Sequence, residues 1–296
     1  MMGDHISVCI CTYKRPKFLA KLLGKLQHQI TNKLFGYSVV VVDNDRLESG
    51  RSVVESLMIG SKICIDYYNE PEQNIALARN RAVQNVKGDF LAFIDDDELP
   101  AEDWLLKLHK SLLLYKADGV LGPVKPCFDE SPPDWILQAG LFERPSHNTG
   151  TVLHWDDTRT GNVLLKSQLF HDKENVFNPA FKHGEDKDFF RRMMEKGFIF
   201  VWCEEAPVYE TEPSERFKRS YFLKRALLRG SVSLRHRSSK IVPVLKSFAA
   251  FGIYTCALPF LLFAGQYLFM KYLVKDCDHI GRLFRACGLD IEKYLL

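Results

Sequence analysis

Two runs rich in β-branched apolar residues, "ISVCIC" (Ile6–Cys11) and "YSVVVVD" (Tyr37–Asp43), constrain this chain more than any other feature. Neither alternates with polar residues, so each reads as a strand covered on both faces. Between them, "RPKFLAKLLGKLQHQ" places Phe18, Leu19, Leu22, Leu23 and Leu26 at helical spacing, with Pro16 near its start. The alternation continues with a strand at "KICIDYY" (Lys62–Tyr68), a helix at "NIALARNRAVQNV" (Asn74–Val86) and a strand at "GDFLAFID" (Gly88–Asp95). Strands alternating with helices predict βαβ units and a largely parallel sheet, an α/β fold. Ligands of such sheets sit at the carboxyl ends of the strands. Thr12, Asp43 and Asp95 stand at those ends and are expected to converge on one edge.

Further along, "PAEDWLLKLHKSLLLY" predicts a helix starting near Pro100, and "DGVLGPVKP" (Asp118–Pro126) a strand. Residues 127–140 read as a loop broken by Pro132 and Pro133, 160–170 contain a strand, and 184–197 form a helix opening with acids. A chain of 296 residues, 46% hydrophobic and 26% charged, can bury one large core, or one core plus an appendage. That balance excludes a disordered or fibrous chain. The eight cysteines are scattered. Cys9 and Cys11 are spaced too tightly for the usual zinc pairs and are expected on one buried strand face, so a reduced, cytosolic setting fits. The start, "MMGDHISVCICTYKRP", has an apolar run too short and a front too acidic for a signal peptide.

The last third differs. From Ser247 to Met270 the chain carries no charge, a stretch long enough to cross a bilayer, flanked by Lys246, Lys271 and Lys275 and studded with aromatic residues. A buried core helix is the other reading. Pro259, Gly252 and Gly265 permit a kink or a re-entrant hairpin in place of a full span. Ahead of it, between Ser214 and Lys240, lie Arg216, Lys218, Arg219, Lys224, Arg225, Arg229, Arg235, Arg237 and Lys240 against only Glu215. The net charge of +3 hides this collar, without which residues 1–213 are acidic. Such a collar suits phosphates, anionic headgroups or plain solvent. Nucleic-acid binding is not expected: no recognised fold accompanies the charge, and neither G-x-x-x-x-G-K-[ST] nor G-x-G-x-x-G occurs.

"FIDDDELP" (Phe93–Pro100) places three carboxylates in a row directly after an apolar run. Repulsion within Asp95, Asp96 and Asp97 gives the fold nothing, so a positive partner is implied. Carboxylates at i and i+2 can offer oxygens to one hard divalent cation, Mg²⁺ or Mn²⁺, which completes its shell with water and phosphates. A solvated turn capping the next helix explains the same residues.

Taken in order, "ICTYKRP", "VVVDND", "NIALARNRAV", "FIDDDELP" and "HGEDKDFFRRMMEKGF" resemble the family 2 glycosyltransferases of the GT-A fold, from about Ile6 to about Gly230. The tail, with "GRLFRACGLDIEKY", resembles bacterial membrane-associated enzymes of the succinoglycan type. The resemblance implies a GT-A catalytic domain over residues 1–240, a membrane-associated segment over 241–275 and a tail over 276–296. It implies that Thr12, Tyr13 and Arg15 border the nucleotide, that Asp43 bonds the base, and that Asn74, Arg79 and Asn80 close over it. Asp95 and Asp97 match the D-x-D pair, with Asp96 beside the nucleotide and Asp97 the more direct ligand of Mg²⁺ or Mn²⁺. Glu210, where relatives often carry histidine, is a third metal candidate. Asp186 matches the general base, with Glu185 beside it.

Each residue has a plainer reading. Asp43 can cap the following turn, Arg79 can pair with surface acids, Asn80 can be helix surface, and Asp186 and Asp188 can simply favour a helix N-terminus. His183 and Lys187 receive no role. Trp135 either stacks on an acceptor sugar or anchors its loop. Arg225 and Arg229, at i and i+4, either grip a diphosphate or join the headgroup-binding collar. The expectation is an inverting, metal-dependent transferase moving a hexose from a UDP-sugar to a polyprenyl-diphosphate-linked saccharide, at the cytoplasmic face of the inner membrane. The same fold acting on a soluble or protein acceptor, and a non-catalytic nucleotide-sugar or glycan-binding protein, are the alternatives.

Overall fold

The computed structural model describes residues 4–172, 174–181, 183–235, 240–289 and 291. Met1–Gly3, Arg237 of the basic collar and residues 292–296 of the tail lie outside the described residues. In chain order the elements are β1 (Asp4–Thr12), α1 (Pro16–Leu26), β2 (Phe35–Asp43), α2 (Arg51–Met58), β3 (Ile65–Asn69), α3 (Ile75–Gln84) and β4 (Phe90–Phe93). There follow β5 (Glu98–Pro100), α4 (Trp104–Tyr115), β6 (Gly119–Leu121), β7 (Val124–Phe128), α5 (Asp134–Ala139), β8 (Val163–Lys166) and α6 (Glu185–Glu195). The last elements are β9 (Phe200–Trp202), β10 (Val208–Glu212), α7 (Arg219–Arg235), α8 (Ile241–Ala264) and α9 (Gln266–Ala286).

Seven strands form one sheet in the order β3-β2-β1-β4-β8-β6-β9, and three form a second in the order β5-β10-β7. β1 is parallel to both β2 and β4, and β2 to β3, while β8 runs antiparallel to β4 and β6. Successive residues of these strands enter opposite cores. Ile6, Val8, Ile10, Val39 and Val41 pack with Leu19, Leu22 and Leu23 of α1 and Trp104 and Leu108 of α4. Cys9, Val40, Val42 and Leu91 pack with Ala78 and Ala82 of α3 and Phe189, Phe190 and Met193 of α6. Each buried Val, Leu, Ile, Phe or Met among them is worth about 1.5–3 kcal/mol, which is why β-branched runs without alternation fold this way. Cys11 is partly buried beside Cys9 on the same face, as the sequence led one to expect.

Several elements depart from the sequence reading. Pro100 ends β5 and pairs with Val208 of β10; the helix begins four residues later, at Trp104. Gly122 and Pro123 split the expected strand 118–126 into β6 and β7, which join different sheets. The loop 127–140 contains α5, starting directly after Pro133. α2, β9 and β10 have too few periodic residues to stand out.

The chain divides into two compact units, one made of the residues up to Lys125 with Arg144–Thr211, the other of Pro126–Glu143 with the chain from Glu212 onward. The second unit is helical, with a core of Ile136, Phe142, Phe222, Ala226, Met270 and Val274. Its uncharged run is broken at Gly265 (φ 133°), not at Pro259, which lies inside α8. α8 and α9 return antiparallel: Thr255 Oγ1 donates to Asp276 Oδ2 at 3.1 Å, and Ser247 meets His279 at 3.2 Å. Ser247 is the one buried residue of α8; Phe248, Ile253, Phe260, Leu262 and Phe263 are exposed. Among the described residues α8 alone is long and apolar enough to cross a membrane, with mean hydropathy 1.8.

α7 and α9 approach through glycines. A Cβ on Gly281 would stand 2.1 Å from the Leu227 carbonyl oxygen, and one on Gly230 2.0 Å from that of Asp278. Gly281→Ala gains up to about 1 kcal/mol of helix propensity. Overpacking against rigid backbone costs about 1–3 kcal/mol or more and wins. The variant should therefore unfold at lower denaturant than wild type, whereas Gly24→Ala, with nothing within 4 Å of its Cβ, should not.

Candidate active site

The chain runs outward from β1 to β2 and β3, then returns to place β4 on the other side of β1. Strand order reverses between β1 and β4, and a crevice at their carboxyl ends follows from that reversal. Thr12 ends β1 and the acid loop follows β4, so the two meet: Thr12 Oγ1 donates to Asp96 Oδ2 at 2.7 Å. In register with Thr12 stands Asp43, and beyond it Asn69.

The three acids differ. Asp96 and Asp97 are buried, whereas Asp95 keeps about half of its side-chain surface (51%) open. Arg15, the N-cap residue of α1, donates from Nη1 to Asp96 Oδ1 at 3.1 Å and to Asp97 Oδ2 at 2.9 Å. Arg79 of α3 is buried and pairs with Glu185 at the start of α6, while its Nη2 lies 3.8 Å from Asp95 Oδ1. Burial opposes a charge there, yet Glu185, Asp95 and Asp186 together raise the guanidinium's pKa. Crowding acts oppositely on the acids. Dense surroundings push Asp95 up to about 6, helped by Asp97, Asp96 and Glu210 and resisted by Arg79. Burial also raises Asp96, against Arg15 and Thr12. Glu185 is pushed up to about 7 by burial, with Asp186 adding to the effect and Arg79 opposing it.

A fourth acid belongs to the group. Glu98 is buried, accepts the Asp95 N–H at 3.1 Å, and is raised well above the carboxylate range by burial and by Asp95 and Glu210. Glu98 of β5 stands opposite Glu210 of β10 in the antiparallel register, and Arg144 pairs with Glu210. The sequence reading passed over Glu98, although it is the next letter of the acidic run. It also passed over Arg144, a lone arginine in a loop with no pattern to mark it.

The remaining nucleotide candidates hold loops. Asp43 is fully buried; Oδ1 accepts from Asp45 N at 3.0 Å, and Oδ2 from Gly50 N at 2.6 Å and Tyr67 Oη at 3.1 Å. Those bonds fasten the turn into α2. Asn74 caps α3 through Ala76 N and donates to the Pro179 carbonyl. Asn80 grips the backbone of Phe177 from both sides, at 2.8 Å each. Tyr13 is exposed, with Lys14 Nζ 5.0 Å from its ring centroid. Asp186 is half-buried and accepts the Lys187 N–H at 2.7 Å, and Asp188 is buried between Arg191 and Arg192.

Three candidates belong to the helical unit. Trp135 is partly buried and packs edge-on against Phe222 of that unit's core. Arg225 donates to Tyr221 Oη at 3.2 Å. Arg229 makes a two-pronged bond to Asp278, at 2.8 and 2.5 Å.

No three His, Cys, Asp or Glu side chains among the described residues are drawn together as a metal-binding group. The chemistry of the donors nevertheless suits Mg²⁺ or Mn²⁺. They are hard carboxylate oxygens, and Asp95 is destabilised in its charged form by Asp97 and Glu210, a repulsion that a divalent cation would relieve.

Comparison with known proteins bears on this geometry. The family model described as "Glycosyl transferase family 2" matches residues 7–175. Succinoglycan biosynthesis protein ExoM of Rhizobium meliloti (strain 1021) is 35% identical over 245 residues, covering 80% of this chain and 76% of that protein. Hyaluronan synthase of Pasteurella multocida is 25% identical over 242 residues, 70% of this chain but 24% of that protein. Among solved structures, S. aureus TarS 1-349 in complex with UDP-GlcNAc superposes with a TM-score of 0.55 at 14% identity, over 96% of this chain and 92% of that one. Such a likeness speaks for the fold. The family match spans more than half of the chain and ExoM aligns along most of both proteins, so the chain belongs to glycosyl transferase family 2: it is a glycosyltransferase, built on the GT-A fold.

Proposed function

We propose that this glycosyltransferase moves a hexose from a UDP-sugar to a saccharide carried on a polyprenyl diphosphate, with inversion at the anomeric carbon and with Mg²⁺ or Mn²⁺ as cofactor. The observation that carries the reading is Arg79, paired with Glu185 and 3.8 Å from Asp95. One guanidinium thereby sets the acid loop and the first turn of α6 side by side. A donor's leaving group and an acceptor's attacking oxygen need that proximity. The complexes of TarS with UDP and with UDP-GlcNAc support a nucleotide-sugar donor, and the succinoglycan relative supports polysaccharide synthesis.

In this reading the crevice around Thr12, Asp43 and Arg79 receives the nucleotide. Asp95 and Asp97, with Glu210 beyond them, would hold the cation, which when bound acts as a Lewis acid on the departing diphosphate. Asp186 takes the proton of the acceptor hydroxyl as that oxygen attacks the anomeric carbon. The bond to the diphosphate breaks with its electron pair, and a single displacement inverts the centre. Glu185, fixed by Arg79, orients the turn that carries Asp186. α8 would lie at the cytoplasmic face of the inner membrane, its exposed apolar side chains in lipid and Lys240, Lys246, Lys271 and Lys275 near anionic headgroups, each worth about 1 kcal/mol there.

Mn²⁺-dependent hydrolysis of UDP-sugars should vanish in Asp97→Ala; turnover equal to wild type would discard the metal role. Asp186→Asn should bind donor as wild type does but transfer about 10²–10⁴-fold more slowly; unimpaired transfer would remove it as the base. Glu185 supplies a test by pH. Its proton is held more tightly in the folded chain, up to about 7, than in the unfolded one. Between the ordinary carboxylate range and that value the native state binds more protons, so wild-type stability falls as pH rises. The midpoint of Glu185→Gln relative to wild type should therefore climb between about pH 5 and about pH 8. A constant offset would show that burial does not dominate at Glu185.

A further inference from the structure

Arg159 has no place in the chemistry described so far. It lies in the stretch between a short 3-10 turn (Trp155–Asp157) and β8, and that stretch is fastened at both ends. At one end Lys187 Nζ, next to Asp186, donates to the Asp156 carbonyl at 2.9 Å, and Thr158 Oγ1 donates to the Trp155 carbonyl at 2.7 Å. At the other, Asn162 accepts from Trp104 Nε1 at 2.7 Å and donates to the Pro123 and Ala206 carbonyls at 2.9 and 2.8 Å. Between these ties Gly161 passes so close to the acid loop that a Cβ there would meet Glu98 Oε1 at 2.7 Å and Asp95 Oδ2 at 3.1 Å. The backbone carrying Arg159 is thus a fixed wall reaching from the start of α6 to the acid loop.

The guanidinium on that wall has no partner. Arg15, Arg79 and Arg144 each hold a carboxylate, whereas Arg159 makes no hydrogen bond and no ion pair among the described residues. It is half-buried, and burial together with neighbouring Arg144 pushes its pKa down to about 10, against the pull of Glu98, Asp186 and Glu210. It therefore stays charged at neutral pH, beside a second guanidinium. A half-buried guanidinium with no ion pair, set on fixed backbone and repelled by a second cation, carries a desolvation cost that an incoming anion relieves. A guanidinium offers a planar fork of N–H donors, which matches phosphate oxygens two at a time.

We propose that Arg159, supported by Arg144, is an anion-binding subsite beside the acid loop that takes the phosphate oxygens of a substrate. The donor's diphosphate and a phosphate brought in by the acceptor share this chemistry; either assignment rests on the function proposed above, whereas the subsite itself does not. Arg159 is the group that touches the anion, and Arg144 acts on it by raising the local positive potential.

Binding of inorganic pyrophosphate to the full chain, followed by calorimetry in metal-free buffer, tests the subsite without calling on the cofactor. Wild type should bind it, Arg159→Gln at least tenfold more weakly, and Arg159→Lys between the two, because charge is kept and the fork lost. A thermal midpoint for Arg159→Gln matching wild type identifies the loss as local. Should that variant fail to fold, Arg159→Lys alone must still weaken binding. Equal affinity in wild type and variants, or none in wild type, overturns the proposal. UDP and uridine then separate the sources. If Arg159→Gln weakens UDP but leaves uridine unchanged, the anion belongs to the donor; if it weakens pyrophosphate and leaves UDP unchanged, the anion arrives with the acceptor. A wild type that binds pyrophosphate but neither UDP nor uridine would refute the UDP-sugar reading and leave the subsite standing.

Discussion

Carboxylates crowded at the carboxyl edge of the main sheet must be answered by positive charge, and much else in the catalytic unit follows from how that is done. Asp95, Asp96, Asp97, Glu98, Glu185 and Glu210 come from three separate stretches of chain, and arginines answer them from three others. Arg79 matters most, because it is buried together with Glu185. Breaking a buried ion pair by removing one partner typically costs about 3–5 kcal/mol, since the other charge is left without compensation. The same pair therefore stabilises the contact between α3 and α6 and fixes the turn that carries Asp186. Structure and proposed chemistry rest here on one bond.

Sheet topology makes this crowding possible. Running β1, β2 and β3 outward and then returning to β4 separates the loops after β1 and β4, and the crevice lies between them. Thr12 and Asp96 close its floor. Asp43, one strand over, looks like a ligand-binding acid in the sequence. In the structure both its oxygens accept donors from the turn into α2 and from Tyr67, so it gives the rim of the crevice its shape.

Legibility from sequence followed burial. β1, β2 and β4 were readable because a strand covered on both faces needs an unbroken apolar run, and α1 because its buried leucines recur at helical spacing. Short elements were not: β5, β9 and β10 are three to five residues long, too short for any period to register, and β6 was read as continuous with β7 across Gly122 and Pro123. In the site, the acids announced themselves as a consecutive run, an expensive local pattern. Two of the arginines near them did not: Arg144, which pairs with Glu210, and the unpaired Arg159 are single basic residues in loops, indistinguishable in sequence from solvated ones, and only the fold brings them near Glu98 and Glu210. Asn74 and Asn80 bond backbone, contacts that no sequence pattern marks in advance.

The helical unit obeys a different economy of contacts. Between α7 and α9 the backbones come within van der Waals distance through Gly230 and Gly281, and Arg229 and Asp278 lock the crossing. Between α8 and α9 the ties are polar: Thr255 to Asp276, Ser247 to His279. Polar ties fix one side of α8 without burying its apolar residues, and only 6% of its most apolar stretch is covered. In water each exposed Phe or Leu forgoes about 1.5–3 kcal/mol of burial. A helix tied down at one side and apolar around the rest has the form expected of one whose remaining surroundings are not water, and this is the physical ground for placing α8 against lipid in the proposed function.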